Sequence, residues 1–139
     1  MSLDLQKLMD AMNTVSRNTR SQYQLTLKNL IEALEALPTG AVVVCGDAPE
    51  QHPGDGASYR GYYSDLSFEP TGAPVTVEAF LAECRSCLGQ TFTGYKGGDF
   101  RMDDDTPLWI AEYGSAPGRA IMGVRVAGDN AVLEIRQVD

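Results

Sequence analysis

The stretch that says most about the fold is AIMGVRVAGDNAVLEIRQV, residues 120–138. Its two halves, Ala120–Ala127 and Ala131–Val138, are rich in β-branched and aliphatic residues, which favour strands. The Gly-Asp-Asn at 128–130 between them is typical of a tight turn. The stretch therefore predicts a β-hairpin at the carboxyl end of the sequence.

Three helices are predicted from apolar residues that recur every three or four positions. The first covers residues 3–13. The second begins after the capping residue Thr26 and ends before Pro38, and the third runs from the capping residue Thr76 to about Leu88. Gly89 supplies the stop signal after the third helix.

Further strands are predicted upstream of the hairpin. Apolar or aromatic runs indicate strands at Ala41–Cys45, Ser58–Glu69 and Leu108–Tyr113, and the proline- and glycine-rich segment Gly46–Ala57 is typical of a loop. Strands and helices in this order predict an α+β fold with a mostly antiparallel sheet and three helices.

The length of 139 residues fits one domain, 1–139, with a helical arm at about 1–25. A net charge of −8 argues against sequence-independent binding to nucleic acid duplexes, which needs a basic face. No apolar run approaches the roughly 20 residues that span a bilayer, so no membrane partner is expected.

Three cysteines, an odd number, fit a reducing compartment, and Cys84 and Cys87 are interpreted as buried apolar residues.

Two clusters combine aromatic, charged and glycine residues more densely than a fold alone requires. One surrounds Gly97-Gly98, and glycines allow close approach of a ligand to the backbone. The other is the tyrosine-rich segment 58–65. Together they are interpreted as two walls of one pocket, in which aromatic rings stack on a flat ligand and cations hold its charged groups. The candidate ligand-binding residues are Tyr59, Arg60, Tyr62, Tyr63, Tyr95, Lys96, Asp99 and Phe100.

Each of these features has a structural alternative. The tyrosines could cover a sheet face, and Trp109 could simply fill the core. The acidic triplet Asp103–Asp105 lacks the spacing of a calcium loop and is interpreted as a solvated turn. No pattern indicates a catalytic residue, a metal site or a cofactor, and His52 in its loop has no recognisable partner.

The polar segment 13–21 follows the first predicted helix. It is either a solvated linker or an arm that contacts a ligand or another subunit. Because the short apolar helix before it is marginal alone, we expect that helix to pack against another subunit in a homo-oligomer, a dimer or a larger assembly such as a hexamer. Symmetry-related arms could then form a second phosphate site from Asn13, Ser16, Arg17, Thr19 and Arg20.

The strings SYRGYYSDLSFE at 58–69 and GQTFTGYKGGDF at 89–100 resemble a family of small phage proteins, the first-described Thoeris anti-defence "sponge" proteins. The resemblance runs from about Thr26 to Tyr113. It implies binding and sequestration, without cleavage, of cyclic ADP-ribose-type signals made by bacterial TIR proteins in the cytoplasm of the bacterial host. Some members hold cyclic oligonucleotides at a separate site created by oligomerisation.

An acidic chain that binds phosphates must concentrate its cations. The candidates for contacts to the phosphates of such a signal are Arg60, Lys96, Arg101, Arg119 and Arg125. Two other functions stay open. One is a nucleotide or sugar hydrolase with Asp65, Asp99 or Glu112 as the base, and the other is a structural protein whose aromatic clusters are interfaces.

Overall fold

The computed structural model describes residues 23–60, 62–93, 97–112 and 118–138. Within these residues the helices are α1, Leu27–Glu35, and α2, Val77–Cys87. The strands are β1, Val42–Cys45; β2, His52–Tyr59; β3, Tyr62–Thr71; β4, Val75–Thr76; β5, Thr91–Thr93; β6, Asp99–Arg101; β7, Leu108–Ile110; β8, Gly118–Ala127; and β9, Asn130–Val138.

One sheet of seven strands organises the described residues, in the order β2-β3-β7-β8-β9-β1-β4. The β3–β7 and β9–β1 pairs are parallel, and the other pairs are antiparallel. Strands β5 and β6 form a separate antiparallel ribbon. The predicted C-terminal hairpin is confirmed, since β8 and β9 pair through a turn in which Gly128 has a φ of +59°.

The predicted fold class was wrong. The structure is mostly β, with a mixed sheet and, in its described part, two helices instead of an antiparallel sheet with three. An antiparallel sheet was predicted because strand segments that follow one another in the sequence often pair as hairpins. Parallel strands are joined by long crossover connections, which turn residues in the sequence do not indicate. The connection from β3 to β7, for example, contains α2. The predicted helix at 3–13 and the arm at 1–25 lie outside the described residues or at their edge.

Two local predictions between residues 46 and 69 were also wrong. The predicted loop contains the first part of β2, from His52 onward, and the predicted single strand is a hairpin in which Tyr59 pairs with Tyr62. The prolines and glycines of this segment are typical of a loop, but β2 is an edge strand of the sheet. A proline is tolerated at an edge because its missing N–H removes no hydrogen bond between strands. A register shift before Tyr59 changes which residues share a face.

Side-chain caps mark the start of each helix at the threonine predicted from the sequence. Thr26 accepts a hydrogen bond from the Asn29 amide at the start of α1, and Thr76 accepts one from the Ala79 amide at the start of α2. Gly89, with a φ of +81°, follows the end of α2 as predicted. The two threonines therefore set the residue at which each helix begins.

Both helices contribute to one hydrophobic core on one face of the sheet. Leu30 and Leu34 of α1, Phe80 of α2 and Phe68 of β3 are buried in it. The rings of Phe68 and Phe80 meet edge to face, with centroids 4.8 Å apart. Residues next to Phe68 along β3 point to the opposite face, where the candidate site lies.

Candidate functional site

Three aromatic rings stack at the end of the β2–β3 hairpin. The Tyr59 ring lies 4.5 Å from the Trp109 ring and within 4° of parallel to it. The Tyr62 ring is 5.9 Å from Trp109 and 6.4 Å from Tyr59. Tyr62 is 48% exposed, whereas Trp109 is buried. The stack therefore presents one tyrosine to solvent beside two less exposed rings.

The register of the sheet explains why Trp109 joins this stack. In the parallel pair of β3 and β7, Trp109 lies beside Ser67, whereas Leu66 and Phe68 belong to the main core. Trp109 is buried outside that core, and its indole N–H donates a 2.8 Å hydrogen bond to the carboxylate of the buried Asp65. This bond fixes the indole, which supports the tyrosines.

A groove of about 380 Å³ lies next to the stack, between β2, β3 and the residues after β7. Its size falls in the range of small-molecule pockets, about 300–1,000 Å³. The side chains that give it polar character are Asp55, Ser58, Tyr59, Arg60, Ser67, Glu69 and Glu112. Tyr59 therefore belongs both to the groove and to the stack.

The charges around this groove are mostly negative. Asp55, Glu69 and Glu112 contribute carboxylates, and Arg60 contributes a guanidinium group. Burial, followed by the negative charge of Glu112, raises the pKa of the Tyr59 phenol above its ordinary value. A neutral phenol and several carboxylates favour a ligand that offers hydroxyl or amino donors, with at most a few phosphate contacts at Arg60.

Arg119 lies beyond Glu112, at the start of β8. Its Nε and Nη2 atoms donate to the two oxygens of Asp47 at 2.7 and 2.6 Å, and Nη1 donates to Oε1 of Gln51 at 2.7 Å. Nη1 is also 3.2 Å from the carboxylate of Glu112. The residue is only 4% exposed. The hydrogen bonds that this guanidinium group donates to Asp47 are the largest cause that raises its pKa, so it stays a cation.

The remaining described candidates lie in other places. The Tyr63 ring stacks on Phe100 of β6 with centroids 5.8 Å apart, and Phe100 packs against the main core. Asp99 accepts a hydrogen bond from the hydroxyl of Thr93 across the β5–β6 ribbon. The two sequence clusters thus meet through Tyr63 and Phe100, while the groove contains Tyr59 and Arg60.

Several predicted site residues lie outside the described part of the chain. These are Tyr95 and Lys96 of the glycine-rich cluster, and the second-site residues Asn13, Ser16, Arg17, Thr19 and Arg20. Of the other predicted cations, Arg101 lies in β6 and Arg125 in β8, and both are exposed.

Four residues of this region were not predicted from the sequence to belong to the site. Asp55 and Glu69 line the groove, and Asp47 and Gln51 hold Arg119. Asp47 and Gln51 lie in a segment that was predicted to be a loop. They are 72 and 68 residues from Arg119 in the sequence, so no local sequence pattern indicates that they contact it. Glu112 was considered only as a possible base.

His52, Cys84 and Cys87 do not line the groove. Nδ1 of the buried His52 donates to the carbonyl oxygen of Val43 at 2.8 Å. Cys84 and Cys87 are buried thiols, as predicted, and burial raises the pKa of Cys87 to about 12. Within the described ranges, no group of three or more His, Cys, Asp or Glu side chains is arranged to hold a metal ion.

Comparison with known proteins finds no matching family model, no similar curated protein and no similar solved structure. Among the helices of the described residues, none has the length and apolar character needed to cross a membrane.

Gly118→Ala tests the packing of the stack. An added methyl group would lie 2.6 Å from the Trp109 ring and 2.8 Å from the Tyr59 hydroxyl, so both rings must shift. We expect a loss of about 1–3 kcal/mol in the free energy of unfolding, the usual cost of overpacking. Urea unfolding followed by the fluorescence of Trp109, the sole tryptophan, measures both the loss and a shifted native emission.

Gly40→Ala is the matched control, because no heavy atom lies within 4 Å of the methyl group it would add. It should change the stability by no more than about 0.5 kcal/mol. Equal effects of the two substitutions, with an unshifted emission in both, would contradict the described stack.

Proposed function

We propose that the protein binds a small nucleotide-type signal in the groove beside Tyr59 and holds it intact. The observation that supports this most strongly is the stacked array of Tyr59, Tyr62 and Trp109 next to a groove of ligand size. The exposed ring of Tyr62 and the half-buried ring of Tyr59 favour planar ligands, since base–aromatic stacking tolerates any base.

The polar groups of the groove match the rest of such a ligand. Carboxylates of Glu69 and Glu112 are acceptors suited to ribose hydroxyls or an exocyclic amino group. Arg60 is the groove's guanidinium group and is suited to one phosphate. A nucleoside part inside the groove, with the phosphates of the ligand beside the exposed Arg60, would fit the excess of negative charge better than phosphates buried among the carboxylates.

Resemblance to Thoeris anti-defence sponge proteins makes cyclic ADP-ribose and its isomers the first ligands to test. On this proposal the protein acts stoichiometrically in the cytoplasm of a bacterial host and removes the signal from its receptor. Cyclic oligonucleotides are a second class of ligand, assigned to the polar segment 13–21.

Tyr62→Ala tests the stacking. We expect it to weaken the binding of cyclic ADP-ribose by about 1–3 kcal/mol, the usual contribution of one aromatic ring to base stacking. Because Tyr62 is 48% exposed, folding should suffer much less than binding. Isothermal titration calorimetry measures the affinity, and thermal unfolding measures the stability.

Tyr23→Ala is the control for this experiment, because Tyr23 is 66% exposed and belongs neither to the groove lining nor to the stack, whereas Tyr62 belongs to the stack beside the groove. It should bind as the parent does. Unchanged affinity in the Tyr62 variant, or an equal loss in both variants, would argue against ligand stacking at Tyr62.

A hydrolase is the second candidate function. Of the three bases considered from sequence, Glu112 lines the groove, whereas Asp65 is buried against Trp109 and Asp99 lies in the β5–β6 ribbon. A linear product that accumulates with time from excess cyclic ADP-ribose would favour this function over sequestration.

Self-association is proposed on the amphipathic pattern of residues 3–13. Multi-angle light scattering should give a mass larger than that of the 15.0 kDa monomer. A monodisperse 15.0 kDa species at micromolar concentration would contradict an oligomer and, with it, a second site formed by several arms.

A further inference from the structure

We propose that Glu112 is the carboxylate that selects the ligand in the groove, and that Arg119 is a positioning residue that acts through Glu112. Arg119 was predicted from sequence to bind phosphate, and this inference gives it a different role. It rests on the proposed function, because it assigns roles within the same groove.

The contacts of Arg119 support a positioning role. Each of its three guanidinium nitrogens faces an acceptor of this chain: Nε and Nη2 face Asp47, and Nη1 faces Gln51 and Glu112. The side chain is 5% exposed. To bind Arg119, a phosphate would have to displace one of these acceptors and reach a nearly buried guanidinium group. Breaking a buried ion pair in this way costs free energy.

Glu112 is held on one side and open on the other. Its side chain is 29% exposed and lines the groove together with Tyr59. Asp55 and Glu69 also line the groove and are exposed residues of strands β2 and β3, whereas Glu112 is partly buried. A carboxylate that is already ordered loses less side-chain freedom when the ligand binds.

This arrangement defines the ligand group that Glu112 accepts. An ionised carboxylate is an acceptor only, so its partner must be a donor such as a hydroxyl or an amino group. A charge-assisted hydrogen bond of this kind is roughly twice as strong as a neutral one. Glu112 therefore selects for the sugar or amino part of the ligand, and Arg119 supplies the charge that orients it.

A double-mutant cycle tests the two roles, with cyclic ADP-ribose as the probe and calorimetry as the measurement. The variants are Glu112→Gln, Arg119→Lys and the double substitution. Arg125→Lys is the control, because Arg125 is exposed on the same strand as Arg119 and outside the groove lining. Thermal unfolding of each variant identifies any that fails to fold. Asp47→Asn replaces Arg119→Lys in that case, since it weakens the same network from its far end.

We expect Glu112→Gln to weaken binding about tenfold or more, the usual effect of losing a charged hydrogen-bond partner. Arg119→Lys should weaken binding in the parent but by less than about twofold in the Glu112→Gln background, because residues in one network are not additive. Equal losses from Arg119→Lys in both backgrounds would show that Arg119 does not act through Glu112 and would overturn the inference. So would unchanged binding in Glu112→Gln. If the parent itself binds no cyclic ADP-ribose, the proposed function fails first and the inference fails with it.

Discussion

Phe68→Ala should lower the free energy of unfolding by about 3–5 kcal/mol, the usual cost of removing a fully buried phenylalanine ring. Phe68 is 0% exposed in the core, and its ring meets that of Phe80 edge to face with centroids 4.8 Å apart. Its removal leaves a cavity between β3 and α2 that the rigid sheet cannot close. Urea unfolding followed by circular dichroism measures the change.

Val126→Ala is the control for this experiment, because Val126 is 60% exposed on β8. Its effect should stay within about 0.5 kcal/mol, as for most surface positions. A loss below about 1 kcal/mol in Phe68→Ala would mean that this ring does not lie in the core described above.

Arg119→Met should lower the free energy of unfolding by about 3 kcal/mol, the lower end of the cost of breaking a buried ion pair by removing one partner. The substitution keeps the aliphatic bulk of the side chain but leaves Asp47 and Gln51 without their donor. Because the Asp47 side chain is 22% exposed, water can solvate it in part, which limits the loss.

Arg125→Met is the matched control, since Arg125 is an exposed residue of the same strand. We expect it to unfold at nearly the same urea concentration as the parent. If Arg119→Met were as stable as this control, the network around Arg119 would contribute little to holding the segment between β1 and β2 against the sheet.

The elements of the fold that depend on local signals could be predicted from the sequence. Threonine caps and apolar spacing located both α1 and α2, and Gly128 marked the C-terminal hairpin. The pairing of β1 with β9 could not be predicted, because it joins distant segments in parallel and has no turn between them. Edge strand β2 was missed for a related reason, since its glycines and Pro53 are tolerated only at an edge.

The site was predictable to the extent that its residues are neighbours in the sequence. Tyr59, Arg60 and Tyr62 could be grouped because the hairpin brings them together locally. The support of Trp109 by Asp65 and of Glu112 by Arg119 depends on the order of β3, β7 and β8 in the sheet. Spacing along the chain contains no signal for that order, so Glu112 could not be assigned to the groove.

The most direct test of the central claim is to recover the ligand after binding. Purified protein is incubated with equimolar cyclic ADP-ribose, separated from free ligand, heated, and the released small molecule is identified by mass spectrometry. We predict about one intact cyclic ADP-ribose released per groove, and much less from Tyr62→Ala. Release of linear ADP-ribose, or retention of no ligand by the parent protein, would contradict a groove that binds a nucleotide-type signal and holds it intact.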